Sequence, residues 1–138
     1  MKILIMGLPG SGKTTLAEEL VKTLESRQKS VLWLNADKIR EIFNDWDFSH
    51  DGRIRQAVRM KRLANGSEDD FIIADFVAPL KEMRDIFDAD YTIWVNTIQE
   101  GRFEDTNKVF ERPESPDFIV TTQDSQLWSS QILERINK

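Results

Sequence analysis

The chain carries near its start the nine residues Gly7-Leu8-Pro9-Gly10-Ser11-Gly12-Lys13-Thr14-Thr15. An apolar run typical of a buried strand, residues 2–6, precedes them, and residues 16–21 follow with apolar positions at helical spacing. Strand, glycine-rich loop and helix in this order are the setting in which the pattern G-x-x-x-x-G-K-[ST] binds phosphate. Every fixed position is filled, which disfavours the alternative of a chance glycine-rich turn. The sequence therefore predicts a phosphate-binding loop, or P-loop.

The chemistry of such a loop assigns roles to its members. Its glycines allow backbone angles that turn successive N–H groups toward a phosphate, and the helix that follows adds its positive end. Lys13 is predicted to be catalytic, placing its charge on the β- and γ-phosphates of a bound nucleotide, and the Thr14 hydroxyl is predicted to ligate Mg²⁺. The residues expected to line the nucleotide site are Gly7, Pro9, Gly10, Ser11, Gly12, Lys13, Thr14 and Thr15.

Composition narrows the function classes. The 138 residues, 40% hydrophobic and 31% charged, predict one globular domain over residues 1–138. A net charge of −5 argues against nucleic-acid binding, and the lack of cysteine excludes disulfides, thiolate metal sites and cysteine nucleophiles. No apolar run approaches a membrane span, and the first residues lack the apolar core of a signal peptide, so we expect a cytoplasmic protein.

Strands and helices are predicted to alternate along the chain. Apolar runs predict strands at residues 2–6, 30–34, 71–74, 91–95 and 118–120. Helical spacing predicts helices at about 13–26, from 37, at 53–63, after 79 and near 127–136. We therefore expect an α/β protein of the P-loop NTPase class, with a five-stranded parallel sheet, helices on both faces and ligands at the carboxyl ends of the strands. Residues 99–117, poor in aliphatic side chains, are expected to form a mobile loop or lid.

Two carboxylates follow predicted strands. Asp37 could take the proton of a hydroxyl that attacks the γ-phosphate, hold a magnesium-bound water, or simply cap the next helix. Asp75 has the position of a Walker B carboxylate that holds Mg²⁺, although an apolar strand ending in Asp is common.

Other charged and aromatic side chains have two interpretations each. Arg40 and Arg53 could clamp an anionic substrate or be ordinary surface charges. Phe48 and Phe110, in polar loops, are candidates for stacking on a base, whereas Trp33 is expected in the core together with Trp94. An exposed helix face is predicted for Arg55, Arg59, Lys61 and Arg62, and the single histidine, His50, is expected in solvent.

Four stretches give the chain a resemblance to the adenylylsulfate kinases, which phosphorylate the ribose 3′-hydroxyl of adenosine 5′-phosphosulfate with ATP. The P-loop fits the family's G-L-[SP]-G-S-G-K-[ST]-T, and residues 34–40, L-N-A-D-K-I-R, follow L-D-G-D-x-x-R in part. Residues 48–59 echo F-S-x-x-D-R-x-x-N-I-R-R, and residues 75–79, D-F-V-A-P, stand against A-F-[IV]-S-P. The resemblance runs from Met1 to about Val120.

The resemblance implies roles for residues of the acceptor site. Asp37 would be the general base, and Arg40 and Arg53 would hold the phosphosulfate. Phe48 would stack on one side of the substrate adenine, and Phe110 would close on it from the lid. The other residues implied to contact substrate are Gln56, Phe76, Val77, Ala78 and Lys108, with Arg102 as a lid contact to ATP. The implied cofactors are ATP and Mg²⁺, with Thr14, Asp37 and Asp75 as metal-binding residues. A homodimer is also implied, because the family is often dimeric.

The departures from the family pattern keep other functions open. Asn35 replaces the first Asp of D-G-D, Gln56 replaces an Asn, Ala78 replaces a Ser, and the lid is shorter. One alternative is a kinase of the same fold with another hydroxyl acceptor, such as a nucleoside, gluconate or a polynucleotide end. Another is a nucleotide-binding regulatory module without catalysis.

Overall fold

The computed structural model describes residues 1–101 and 104–137, which form eleven elements. The strands are β1 (Lys2–Met6), β2 (Val31–Asn35), β3 (Phe71–Asp75), β4 (Tyr91–Val95) and β5 (Phe118–Val120). The helices are α1 (Lys13–Ser26), α2 (Ala36–Phe43), α3 (His50–Asn65), α4 (Lys81–Phe87), α5 (Glu104–Val109) and α6 (Ser125–Ile136).

The five strands form one sheet in the order β2-β3-β1-β4-β5, and each neighbouring pair is parallel. Parallel strands bring their carboxyl ends to the same edge of the sheet. The last residues of the first four strands, Met6, Asn35, Asp75 and Val95, therefore lie along that edge. The expected five-stranded parallel sheet is confirmed.

Alternating side chains give the sheet two buried faces. On one face Ile3, Ile5 and Ile93 pack with Leu16 and Leu20 of α1 and with α6. On the other face Leu4, Met6 and Ala74 pack with α3 and α4. Helices therefore cover both faces, as predicted, and burial of apolar surface on each side holds the sheet and its carboxyl edge in place.

Some boundaries differ from those predicted. Helix α3 begins at His50 instead of residue 53, because the Ser49 side chain accepts a hydrogen bond from the Gly52 N–H and caps the helix. Strand β2 covers 31–35 instead of 30–34. The segment 99–117, expected as a loop, contains helix α5. No helix in the described parts of the chain is both long and apolar enough to cross a membrane.

Candidate nucleotide and acceptor site

The P-loop joins β1 to α1 through tight backbone contacts. Gly7 has φ +152°, and a Cβ there would lie 2.5 Å from the Val95 carbonyl oxygen, so only glycine fits. The Ser11 N–H donates to the Leu8 carbonyl at 3.1 Å, and the buried Lys13 ammonium donates to the same carbonyl at 3.2 Å. The loop thus holds a buried positive charge at the start of a helix, where phosphate binds favourably.

Two side chains from neighbouring strands brace the loop from outside. The Thr97 hydroxyl, after β4, donates to the Ser11 carbonyl at 2.6 Å. The Gln123 amide, after β5, donates to the Gly10 and Ser11 carbonyls, each at 3.3 Å. Sequence reasoning assigned no role to either side chain, although their position just beyond strand ends was a usable signal.

Asp75 lies at the centre of a hydrogen-bond network beside Thr14. One carboxylate oxygen accepts from the Thr14 hydroxyl at 3.2 Å and from the Asn35 amide at 3.0 Å. The other accepts from the Trp33 indole N–H at 2.7 Å and again from Asn35 at 3.2 Å. Burial raises the pKa of Asp75, and the hydrogen bonds from Trp33 and Asn35 oppose that rise. Trp33 is thus half-buried beside the site, not a plain core residue.

Asn35, rather than Asp37, caps helix α2. Its side-chain oxygen accepts from the Lys38 N–H at 3.0 Å, so the cap interpretation of Asp37 was wrong. Asp37 lies in the first turn with an exposed side chain. An exposed carboxylate that no cap contact engages is available to a ligand at the sheet edge.

Arg40 and Arg53 are almost fully buried, with exposures of 4% and 7%. Arg40 donates to the Asp45 and Asp47 carbonyls at 2.9 and 3.2 Å, and Arg53 donates to the Phe48 carbonyl at 2.8 Å. Their guanidinium carbons lie 4.3 and 5.7 Å from the Phe48 ring centre, and that ring is itself half-exposed. Burial lowers the pKa of Arg40, against the opposing charge of Asp45, yet a guanidinium stays protonated.

Asp45 and Asp47 engage a second pair of arginines. Arg55 contacts Asp45 at 2.8 Å and Asp47 at 3.1 Å, and Arg59 contacts Asp45 at 2.9 Å. These hydrogen bonds hold the pKa of Asp45 well below its usual range. The prediction of one exposed helix face was therefore wrong for Arg59, whose side chain is only 15% exposed. Helix α3 lies so close to the loop 44–48 that a Cβ on Gly52 would be 2.2 Å from the Asp47 carbonyl oxygen.

The remaining predicted acceptor residues lie at different depths. Gln56 is buried, donates to the Ala36 carbonyl at 3.1 Å and accepts from Arg59. Phe76 is buried with its ring edge-on to Phe87, Val77 is half-buried, and Ala78 is buried with φ +44°. His50 is exposed beside Glu82, at 3.1 Å.

The part of the lid segment that follows α5 is hydrogen-bonded to the loop after β3. The Glu111 N–H donates to the Pro79 carbonyl at 2.7 Å, and Arg84 donates to the Ala78, Pro79 and Glu111 carbonyls. The half-buried Phe110 ring lies 5.6 Å from the Arg84 guanidinium carbon. Lys108 is exposed on α5, and Arg102 lies outside the described residues.

A cavity of about 100 Å³ lies between the P-loop and the segment that joins β5 to α6. Sequence reasoning missed it, although the polar run 121–125 follows a strand end. Its walls include Ser11, Gly12, Thr15, Val95, Gln123 and Trp128.

The P-loop, the strand order and the buried acid beside Thr14 define a P-loop protein of the nucleotide-binding α/β class. The chain belongs to the Adenylylsulphate kinase family, whose model matches residues 1–97. That match ends before the lid segment, so it is shorter than the stretch to about Val120 over which the motifs extended the resemblance.

Two similar proteins are both kinases, and their names give them different acceptors. The chain is 30% identical over 86 residues to a cytidine diphosphoramidate kinase of Campylobacter jejuni, covering 62% of this chain and 50% of that protein. It is 33% identical over 84 residues to an adenylyl-sulfate kinase of Bacillus velezensis, covering 59% of this chain and 43% of that protein. The matched stretches thus span about half the length of these relatives.

Comparison of structures shows the fold. An APS kinase of Mycobacterium tuberculosis in complex with AMPPNP and APS superposes with a TM-score of 0.84 over 99% of this chain and 97% of that one. The two chains are 18% identical, so the likeness extends to architecture alone.

Proposed function

We propose that the protein transfers the γ-phosphoryl group of ATP to the 3′-hydroxyl of adenosine 5′-phosphosulfate. One observation carries the proposal: an exposed carboxylate, Asp37, and two buried arginines, Arg40 and Arg53, follow β2, whose carboxyl end lies at the same edge of the sheet as the P-loop. Phosphoryl transfer needs a positioned hydroxyl nucleophile, and this arrangement offers a base for the hydroxyl proton and fixed positive charge to orient an anionic acceptor.

On the nucleotide side, the loop N–H groups and Lys13 would bind the β- and γ-phosphates. Thr14 and Asp75 would hold Mg²⁺; they present the oxygen ligands that this ion prefers, and it needs only one or two carboxylates beside phosphates and water. The bound ion would neutralise charge on the phosphates. The adenine of ATP would enter the cavity between the P-loop and the segment after β5, with Arg102 as a further contact.

On the acceptor side, Asp37 would accept the proton of the attacking hydroxyl. Arg40 and Arg53 would exchange carbonyl contacts for the charged oxygens of the phosphosulfate, because hydrogen bonds between two charged partners are stronger. Phe48 and Phe110 would stack on the acceptor base, with Gln56, Phe76, Val77, Ala78 and Lys108 around it.

A second acceptor is cytidine diphosphoramidate, favoured by the 30% identity to the Campylobacter kinase. Both acceptors join a nucleoside to a charged 5′ group, which Arg40 and Arg53 would bind alike. They differ in base and in the length of the charged group.

The test is ADP release from MgATP with each acceptor in turn, with the product identified by chromatography. Adenosine 5′-phosphosulfate, cytidine diphosphoramidate, adenosine, AMP and gluconate would be compared. We expect a 3′-phosphorylated product from adenosine 5′-phosphosulfate. Turnover of another acceptor alone would reassign the substrate, and silence with all of them despite ATP binding would indicate a regulatory module.

A further inference from the structure

Trp33, Asn35 and Asp75 share one face of the sheet. Side chains two apart on a strand point the same way, and Asn35 and Asp75 are register partners on neighbouring strands. This is the face that α1 covers, and Thr14 is the second residue of α1. The sheet thus brings an indole, an amide and a carboxylate to the first turn of the phosphate-binding helix.

The orientation of the Asn35 amide is fixed from both ends. Its oxygen must face the Lys38 N–H, which only donates, and its nitrogen must then face the Asp75 carboxylate. One amide therefore connects the start of α2, which carries Asp37, to the acid beside Thr14. An Asp at position 35 would place a second carboxylate about 3 Å from that of Asp75, which is within the range of hydrogen-bond distances.

Trp33 fixes the other oxygen of the same carboxylate. The indole N–H can only donate, and its 2.7 Å contact to Asp75 is the shortest in the network. If the Thr14 oxygen binds a metal ion through a lone pair, its O–H can still donate to Asp75, while Trp33 and Asn35 hold the carboxylate in place. The family pattern has Asp at position 35 and Ala at position 75, so here the acid stands on the neighbouring strand.

We infer that Trp33 and Asn35 are positioning residues, which hold the Asp75 carboxylate against Thr14 for magnesium-bound nucleotide and couple it to the start of α2. The inference rests on the proposed nucleotide site, but it does not depend on which acceptor is used. Trp33 acts through Asp75, and Asn35 acts through Asp75 and through the Thr14 hydroxyl, to which its amide nitrogen donates at 3.3 Å.

The experiment is calorimetric titration with ADP, once with MgCl₂ and once with EDTA, of the parent chain and of Trp33→Phe. We expect Trp33→Phe to weaken ADP binding roughly ten-fold with Mg²⁺, since one hydrogen bond to a charged group is lost, and to leave binding in EDTA unchanged. A merely structural role would weaken both equally. The matched control is Trp94→Phe, a half-buried strand tryptophan whose indole donates no hydrogen bond within the described residues.

An exchange of the two side chains guards against a folding defect. Asn35→Asp alone should reduce the magnesium-supported affinity, and Asn35→Asp with Asp75→Asn should recover much of it. Equal losses with and without Mg²⁺, or no loss in Trp33→Phe, would overturn the inference. Failure of the parent chain to bind ADP at all would overturn the proposed nucleotide site first, and the inference with it.

Discussion

The nucleotide side and the acceptor side of the proposed site are held together by different kinds of contact. On the nucleotide side, contacts to the backbone fix the loop: Gly7 lies against the Val95 carbonyl, and the Thr97 hydroxyl donates to the Ser11 carbonyl. On the acceptor side, long side chains carry the contacts, above all Arg40 and Arg53. The comparison teaches that the P-loop is held by contacts to its backbone, whereas the proposed acceptor site depends on long side chains.

The largest expected effect removes the charge of the nucleotide side. Lys13→Ala should lower kcat by roughly a thousand-fold, because a preorganised charge at the transferring phosphoryl group is lost. ADP release with the preferred acceptor measures it, and thermal unfolding followed by circular dichroism checks that the fold persists. Activity within a few-fold of the parent chain would remove Lys13 from the mechanism.

The next effect tests the base on the acceptor side. Asp37→Asn should lower kcat by about a hundred-fold with KM nearly unchanged, because general-base assistance is lost while the shape is kept. Glu41→Gln, an exposed acid on the same helix, is the matched control and should change neither constant. An equally active Asp37→Asn enzyme would contradict the assignment.

A glycine test separates helix propensity from close packing. Alanine usually stabilises a helix interior relative to glycine, but at position 52 its Cβ would overlap the Asp47 carbonyl. We therefore expect Gly52→Ala to destabilise the fold by about 1–3 kcal/mol and to raise the acceptor KM, while KM for ATP stays the same. Denaturant unfolding measures the stability, and steady-state kinetics measures the two KM values. An increase in stability would show that the loop 44–48 moves to make room for the added methyl group.

The smallest effect concerns acid stability. The pKa of Asp45 is depressed in the folded chain, so its stabilising contribution is complete above the unfolded pKa, about 4, and is lost as the pH falls below that value. Asp45→Asn should therefore flatten the fall in stability below about pH 4. Unfolding midpoints in urea from pH 7 to pH 3 measure this, with exposed Asp51→Asn as the control. Parallel curves for Asp45→Asn and the parent chain would contradict the coupling to Arg55 and Arg59.

The sequence predicted what is encoded locally. The P-loop pattern and the apolar run before it predicted β1 and the start of α1, and the run 91–95 predicted β4 to the residue. Local patterns cannot show which strands become neighbours or in what register. Trp33 therefore looked like a core residue, because only the pairing of β2 with β3 brings its N–H to Asp75.

Contacts between separate parts of the chain were harder to predict for the same reason. Arg59 had the spacing of an exposed helix face, and its ion pair with Asp45 joins helix α3 to the loop that precedes it. Gln123 follows β5, and Gly10 follows β1. Their contact forms although β4 lies between these two strands in the sheet. Contacts of this kind depend on topology, which no short stretch of sequence contains.

The pairing of Asn35 with Asp75 has a consequence for how such chains can change over generations. We expect neither residue to tolerate replacement alone, because a lone Asn35→Asp leaves two adjacent acids that resist joint ionisation, and a lone Asp75→Ala leaves the site beside Thr14 without its acid. A lineage moving between this arrangement and the D-G-D pattern must pass through one of those weakened forms or change both codons together. The two positions are therefore epistatic, and a search that demands the first Asp of D-G-D would overlook relatives that carry the acid on β3.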